Sequence, residues 1–412
     1  MNIVLFEDEK YRDLLPLVYF RPVWELRCGI QTLAEKIFHL FSNHKISFLS
    51  RKYLQDYYLS EDKIFAQDKN EEYLFINGRV LLKETDKKLL LDLDAEMAIF
   101  SSGDIVAFKI TGNKFDDLID HDLPDSQKIL GKFKSVEAGI DLINYPWDLI
   151  DRNGAEIARD FIKLRGNNNG DRKIHPGAHL LNPENIYIGK NAQILPGVVL
   201  NAESGPIWID ENVKIMPNAV IEGPVAIGKS SLVKIGAKIY ENTSVGPVCK
   251  VGGEVEETII QEYSNKQHDG FLGHSYLGAW INIGADTNNS DLKNNYGEIS
   301  VYLNDRNVET GKRFLGLIMG DHSKTAINTM FNTGTVVGVS SNIFGAGFPP
   351  KFIPSFSWGG SAGMREYNFD KAIEVAEIVM NRRKVPFTSK TKQLFQSVKD
   401  LSFKVENRVR VR

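Results

Sequence analysis

Eight β-branched residues stand at strict six-residue intervals in the middle of this chain: Ile209, Ile215, Ile221, Ile227, Val233, Ile239, Val245 and Val251. Four residues after each of the first seven comes a small or β-branched side chain: Val213, Ala219, Val225, Ser231, Ala237, Thr243 and Cys249. A sustained hexad of this kind is the signature of a parallel β-helix. Each hexad forms one short flat side of a triangular coil. The aliphatic residue fills the interior, and the small residue sits where the chain turns. Gly189, Gly228, Gly246, Gly252, Gly278, Gly284, Gly320 and Gly338 each directly follow an inward position, where glycine is expected to relieve the backbone at the corners.

The hexad recurs in other phases. Ile188, Ile194 and Leu200 precede the long run; Phe271, Leu277 and Ile283 follow it; Met319, Thr325, Phe331, Val337 and Ile343 close the series. The phase breaks between Val251 and Phe271 and between Ile283 and Met319 are each expected to be a loop leaving the coil. The second break carries GEISVYLNDRNVET (297–310), which reads as a hairpin around Asn304–Asp305. Beyond Gly345 the pattern stops. Helical spacing then predicts a helix over 371–383 with Asp370 as N-cap, and another over 390–401. These helices are expected to cap the open edge of the coil. An alternating tail, 403–412, carries Lys404, Arg408, Arg410 and Arg412.

Ahead of the coil, residues 3–6, 46–49, 73–77, 97–100 and 105–110 read as strands. Leu33, Ile37, Phe38 and Phe41 put a helix within 31–41. Strands alternating with helices predict an α/β domain with a mainly parallel sheet. RGNNNGDR (165–172) has no apolar residue and reads as a linker. The expected organisation is an α/β domain over 1–164, a linker over 165–172, a β-helix over 173–347, and helices with a tail over 348–412.

The length of 412 residues suits two domains. With 50 basic and 53 acidic side chains the formal charge is −3, so nothing marks a nucleic-acid or anionic-membrane partner. No apolar run approaches the roughly 18 residues of a membrane span. The opening MNIVLFEDEKYR, with Glu7 and Asp8, is not a signal peptide. Two cysteines, Cys28 and Cys249, suit a reducing cytoplasm.

Two stretches carry a resemblance. Residues 273–287 read GHSYLGAWINIGADT and residues 309–325 read ETGKRFLGLIMGDHSKT. Both resemble motifs of the sugar-1-phosphate nucleotidylyltransferase/acetyltransferase family, which includes the bifunctional bacterial enzymes that make UDP-N-acetylglucosamine and their archaeal relatives. The chain also looks like a bacterial branch described as glucose-1-phosphate thymidylyltransferases. The resemblance implies a nucleotidyltransferase-like α/β domain followed by a left-handed parallel β-helix of hexapeptide repeats. It also implies that His274 is the general base for acetyl transfer from acetyl-CoA. An amine attacking a thioester must lose a proton, and imidazole titrates near the working pH. Tyr276 is then expected at the sugar phosphate or the oxyanion. Lys293, Lys312, Arg313 and Lys324 are cations suited to sugar or CoA phosphates, with Asn282 and Asp291 at the acceptor sugar. His322 is a second candidate base, set against a plain coil hexad.

The sequence departs from the family pattern. His274 and Tyr276 are one residue closer, a hexad is missing after Tyr-Leu-Gly, and Asp286 stands where the family has Gly. The N-terminal departures are larger. The family opens with a glycine-rich loop whose backbone N–H groups cradle phosphates. Here Glu7, Asp8, Glu9, Lys10, Tyr11 and Arg12 follow the first strand, and no glycine precedes Gly29. Arg21 is a substitute cation. In YLFINGRVL (73–81), Arg79 stands where the family has a Mg²⁺-binding Asp, with Asn77 beside it. Glu7, Asp8, Arg12, Arg21, Asn77 and Arg79 are the candidate nucleotide site, set against a structural set of Arg–acid pairs; Mg²⁺ is implied only if this domain is active.

The sequence therefore points to a cytoplasmic, homotrimeric transferase acting on a sugar 1-phosphate. Its β-helix is expected to transfer an acyl group from CoA to an amino-sugar phosphate behind a divergent nucleotidyltransferase domain. Two alternatives stand. One is an active nucleotidylyltransferase using UTP or dTTP with the coil as trimer scaffold; the other is a non-catalytic regulatory protein that binds sugar nucleotides.

Overall fold

The computed structural model describes residues 1–120, 122–166 and 172–406. Six strands make the N-terminal sheet: β1 (Asn2–Phe6), β2 (Lys45–Leu49), β3 (Glu72–Asn77), β4 (Met97–Ser101), β5 (Asp104–Thr111) and β6 (Lys134–Glu137). Their order is β6-β4-β5-β3-β1-β2. β1 runs parallel to β2 and β3, and β6 parallel to β4. β5 is antiparallel to both its neighbours, so the sheet is mixed. Ser102 and Gly103, at φ 51° and 83°, provide the tight hairpin turn between β4 and β5. Ile3, Leu5, Leu74 and Ile76 pack on one face, and Val4, Phe6, Phe75 and Phe108 on the other. Helix α1 (Leu33–Leu40) starts at a capping box between Thr32 and Glu35.

The hexads build a parallel β-helix of three stacked sheets. One of these sheets runs through nine short strands from Ile186–Ile188 to Phe352–Ile353. Every residue of the run from Ile209 to Val251 is at most 1% exposed. The residue three after an inward position takes the left-handed conformation, as at Asn191, Asn212, Asn218, Ser230, Asn242 and Val248. The small buried residue follows it. The glycines expected at these corners have another duty. Gly228, Gly246 and Gly189 do not carry positive φ; a Cβ there would approach backbone of the next coil to 2.7, 2.9 and 2.7 Å. They allow coils to stack closely.

The expected loop between Val251 and Phe271 is not one. The coil continues through strands Glu254–Glu256, Ile259–Ile260 and Asn265–Lys266. Inward positions there are Val255, Ile260, Lys266 and Leu272, all buried, while Phe271 is only half-buried. Shortened sides and a lysine at an inward position hid the period. The Lys266 ammonium is held by the carbonyls of His268 (2.8 Å) and Gly270 (2.6 Å). The second break is a true excursion. Its hairpin pairs Ser300–Leu303 with Arg306–Glu309 across Asn304 and Asp305, at φ 49° and 63°.

That hairpin lies against the N-terminal region. Ile299, Val301 and Leu303 join one core cluster with Tyr11, Leu14 and Trp24 and with the coil residues Ile318 and Val336. Arg306 pairs with Asp13 at 2.8 Å. Helix α2 (Pro146–Leu164) has proline in its first turn and caps itself through Asp148. Its Ile157 and Phe161 pack on Trp208 and Ala226 of the coil. Helices α3 (Phe369–Arg382) and α4 (Ser389–Val405) meet the last coil through Phe369, whose ring packs on Phe356, and through Glu406, which accepts from Ser355 N–H at 2.8 Å. Leu394, Phe395 and Val398 of α4 enter the same core as Trp24 and Leu54, and α4 packs on the short helix Lys52–Tyr58. One sheet of the coil ends in the hairpin Ser357–Gly360 with Gly363–Glu366. The N-cap of α3 is Asn368, whose side chain accepts from Lys371 N, not Asp370. Residues 167–171 of the expected linker, and Arg408, Arg410 and Arg412, lie outside the described residues.

Candidate active site

His274 directly follows the strand Phe271–Gly273, at the left-handed φ of 44°. Its backbone N–H donates to the Glu256 carbonyl (3.2 Å), and its carbonyl accepts from Gly316 N–H (2.8 Å). The ring is thus fixed between two neighbouring segments. Nδ1 lies 2.8 Å from Asp291 Oδ2, and the Phe314 ring stacks on the imidazole at 4.9 Å and 24°. Asp291 is held in turn through its carbonyl, which accepts from Leu315 N–H at 2.9 Å. The carboxylate favours the tautomer with hydrogen on Nδ1, which leaves the lone pair on Nε2. His274 and Asp291 side chains keep 20% and 14% exposure, so the pair is sheltered but open to a ligand. Glu256 stands beside them. Burial first, then the negative charge of Asp291, raises its carboxyl above the usual carboxylate range.

Tyr276 takes no part. Its hydroxyl accepts from Arg27 N–H (2.9 Å) and Gln261 Nε2 (3.2 Å) and donates to the Arg27 carbonyl (3.1 Å). The side chain is fully buried under the N-terminal region, where no sugar phosphate can reach it. It fastens the coil to the Arg27 turn.

His322 is also withdrawn as a base. It occupies a left-handed corner at φ 62°, and its ring stacks on Trp280 (5.9 Å, 12°), which stacks on Tyr263 (4.2 Å, 1°). Phe20 and Phe395 close the other sides. Burial, then Lys324 and Arg21, hold its pKa well below the ordinary value. It is a neutral rung of an aromatic ladder.

The candidate phosphate ligands divide into two groups. Lys293, Lys312 and Arg313 share the excursion with Asp291 and Phe314. Lys293 donates to the Glu298 carbonyl, Lys312 pairs with Asp151 at 2.5 Å, and Arg313 is exposed. Asn282 and Lys324 bridge to each other on another sheet of the coil. The Lys324 ammonium donates to the His322 carbonyl (2.7 Å), and burial lowers its pKa to about 8. This second group does not join His274.

At the N-terminus every candidate except Arg12 is closed into a buried pair. Glu7, wholly buried, accepts from Arg51 at 2.9 and 3.0 Å and from the backbone N–H groups of Val23 and Arg51. Asp8 accepts from Arg79 at 2.6 and 3.0 Å and from Asn77 at 2.8 Å. Arg79 is fully buried and also donates to the Ile143 carbonyl. Arg21 reaches the coil, where it pairs with Asp321 and with Glu262 (3.2 Å). Arg12 pairs with Glu9 at the surface, 3.1 Å. These residues do not fit a Mg²⁺ site: a cation needs free carboxylate oxygens, and here guanidinium groups already occupy them. Arg51, Asp321 and Glu262, the partners that decide this, carried no local signal in the sequence.

Comparison with known proteins supports the family likeness. Residues 3–168 match the family model described as sugar nucleotidyl transferase. The bifunctional sugar-1-phosphate nucleotidylyltransferase/acetyltransferase of Sulfurisphaera tokodaii is 31% identical over 176 residues, covering 39% of this chain and 43% of that protein. The bifunctional protein GlmU of Methanocaldococcus jannaschii is 26% identical over 375 residues, covering 80% and 83%. GlmU of a Synechococcus strain is 27% identical over 213 residues, covering 50% and 41%. The chain thus spans less than half of two of these relatives and most of the third. Among solved structures, the UDP-N-acetylglucosamine acyltransferase of Francisella novicida aligns with 14% identity and a TM-score of 0.28, covering 56% of this chain and 88% of that one.

Proposed function

We propose that this chain is a sugar-1-phosphate transferase whose chemistry is acyl transfer from a CoA thioester to an amino-sugar phosphate at His274. The observation that carries the reading is the His274 Nδ1–Asp291 contact of 2.8 Å on a half-open surface. With Asp291 orienting the ring, Nε2 takes the proton as the acceptor's amine forms the C–N bond to the acyl carbon. The C–S bond breaks, the imidazolium returns that proton to the sulfur, and CoA leaves as the thiol. Lys293 and Arg313, on the same excursion as Asp291, are the candidates for a phosphate in this reading. The word acetyltransferase in the name of the Sulfurisphaera tokodaii relative supports an acetyl group, and acetyl-CoA is the donor in this reading.

The N-terminal region serves in this reading as a structural partner of the coil. Its acid and guanidinium groups are spent on one another, and phosphoryl transfer needs them free for metal and pyrophosphate. A second reading, nucleotidylyl transfer from UTP or dTTP, is favoured by the family match over residues 3–168. A homotrimer in the cytoplasm accords with both readings; no helix among the described residues is long and apolar enough to cross a membrane.

One pair of assays separates them. The protein is incubated with acetyl-CoA and glucosamine- or galactosamine-1-phosphate, and separately with UTP or dTTP, sugar phosphates and Mg²⁺. CoA release that disappears in His274→Ala supports acyl transfer. Pyrophosphate release without CoA turnover overturns it in favour of the second reading. Silence in both assays favours a regulatory binding protein.

A further inference from the structure

Glu256, His274 and Asp291 bring one imidazole and two carboxylates together on adjacent coils. One ligand atom from each lies within 4.8 Å of the other two. Bonds of about 2.1 Å to a single ion place neighbouring ligand atoms about 3.0 Å apart in octahedral and about 3.4 Å apart in tetrahedral coordination, and Nδ1 and Oδ2 stand at 2.8 Å. Glu256 ends the strand Glu254–Glu256, which pairs in register with the strand that delivers His274. Glu256 and His274 are therefore set by neighbouring strands of the coil, while Asp291 comes from the excursion, where its carbonyl accepts from Leu315 N–H at 2.9 Å. The Phe314 ring walls one side.

The charge balance points the same way. Among the described residues no lysine or arginine forms an ion pair with Glu256 or Asp291; the sole basic group on Asp291 is the imidazole. Glu241 and Glu254 add negative charge around Glu256, although Lys238 offsets Glu254 at 3.2 Å. A half-buried carboxylate pair without a cation is costly unless it is protonated or coordinates a metal.

We propose that Glu256, His274 and Asp291 form a binding site for a first-row divalent cation such as Zn²⁺ or Co²⁺, with water completing the coordination. Mixed nitrogen and carboxylate ligands suit these ions better than Mg²⁺, which prefers an all-oxygen octahedron. A neutral imidazole has one lone pair, so a cation bound through it leaves none for a proton. Metal occupancy and general-base action at His274 therefore exclude each other, and the site is an inhibitory one for the acyl transfer proposed above. Cation binding itself does not depend on that activity.

The test uses the full chain, stripped with chelator and titrated with Co²⁺ by visible absorption and with Zn²⁺ by calorimetry. No CoA or sugar is present, so failure of the transferase reading leaves this measurement intact. One ion per chain is expected, with affinity falling at least roughly tenfold in both Glu256→Gln and Asp291→Asn. Both variants preserve side-chain shape, and far-UV circular dichroism checks that the coil is retained. Absence of binding, or binding unchanged in Glu256→Gln, overturns the proposal.

Discussion

Two regions of this molecule hold carboxylates beside cationic or basic groups, and they end in opposite states. At the carboxyl ends of β1 and β3, Glu7–Arg51 and Asp8–Arg79 are saturated pairs with almost no exposed surface. On the coil, the His274–Asp291 pair keeps 20% and 14% exposure and one ring nitrogen free of that contact. The first arrangement stabilises a fold; the second can exchange a proton. The difference teaches that charged residues at a family's expected site report chemistry only when their partners leave an atom available.

The comparison breaks most sharply through His274→Ala. Loss of a general base is expected to lower the rate of CoA release by roughly 10²–10⁴, with the melting temperature nearly unchanged. A stopped-time CoA assay together with thermal denaturation checks both halves. An unchanged rate would remove the coil site from the reading.

Arg79→Ala probes the opposite region. It leaves Asp8 buried without its guanidinium, and breaking a buried pair from one side costs about 3–5 kcal/mol. Urea denaturation should show that loss. If the variant instead kept its stability and gained Mg²⁺-dependent pyrophosphate release, the pair would be a mask over a live site.

A third contrast lies inside the coil, where Lys266 is buried without a carboxylate partner in hydrogen-bond contact. Burial lowers its pKa to about 8, against an ordinary value of about 10.4 in the unfolded chain. Between these values the unfolded state binds more protons, so stability contributed by this group rises with pH across that window. Lys266→Met should flatten the rise, measured as denaturation midpoints near pH 8 and near pH 10. A slope identical to that of the parent protein would show that the ammonium is hydrated.

The smallest effect is expected for Tyr276→Phe. Losing the hydroxyl that bridges Arg27 and Gln261 should cost about 1 kcal/mol, visible in the denaturation midpoint, while CoA release stays at the parent rate. A large fall in kcat would return Tyr276 to the reaction.

The coil was legible because its rule is local: each inward side chain faces the interior six residues after the last. The rule became unreadable where a side shortened after Val251 and where Lys266 replaced an aliphatic residue. His274 is legible within its motif, and Asp291 reads there as a sugar ligand. Glu256 and Phe314 gave no signal, since they reach His274 from other coils and from the excursion. The N-terminal acids were visible as anomalies, yet Glu7 and Arg51 are 44 residues apart, and Arg21 and Asp321 300 apart.

The sequence by itself determined the β-helix, the excursion with its Asn304–Asp305 hairpin, and the failure of the phosphate loop. These follow from periodicity, turn chemistry and the absence of glycine, all of which act over a few neighbouring residues. Only the tertiary structure decided which charges are satisfied. Tyr276 and His322 lost their candidate roles because the N-terminal region and α4 bury them, while Asp291 came to hold His274. Availability of a proton or a lone pair depends on what packs across from it, and in this chain those neighbours come from coils and helices distant in sequence.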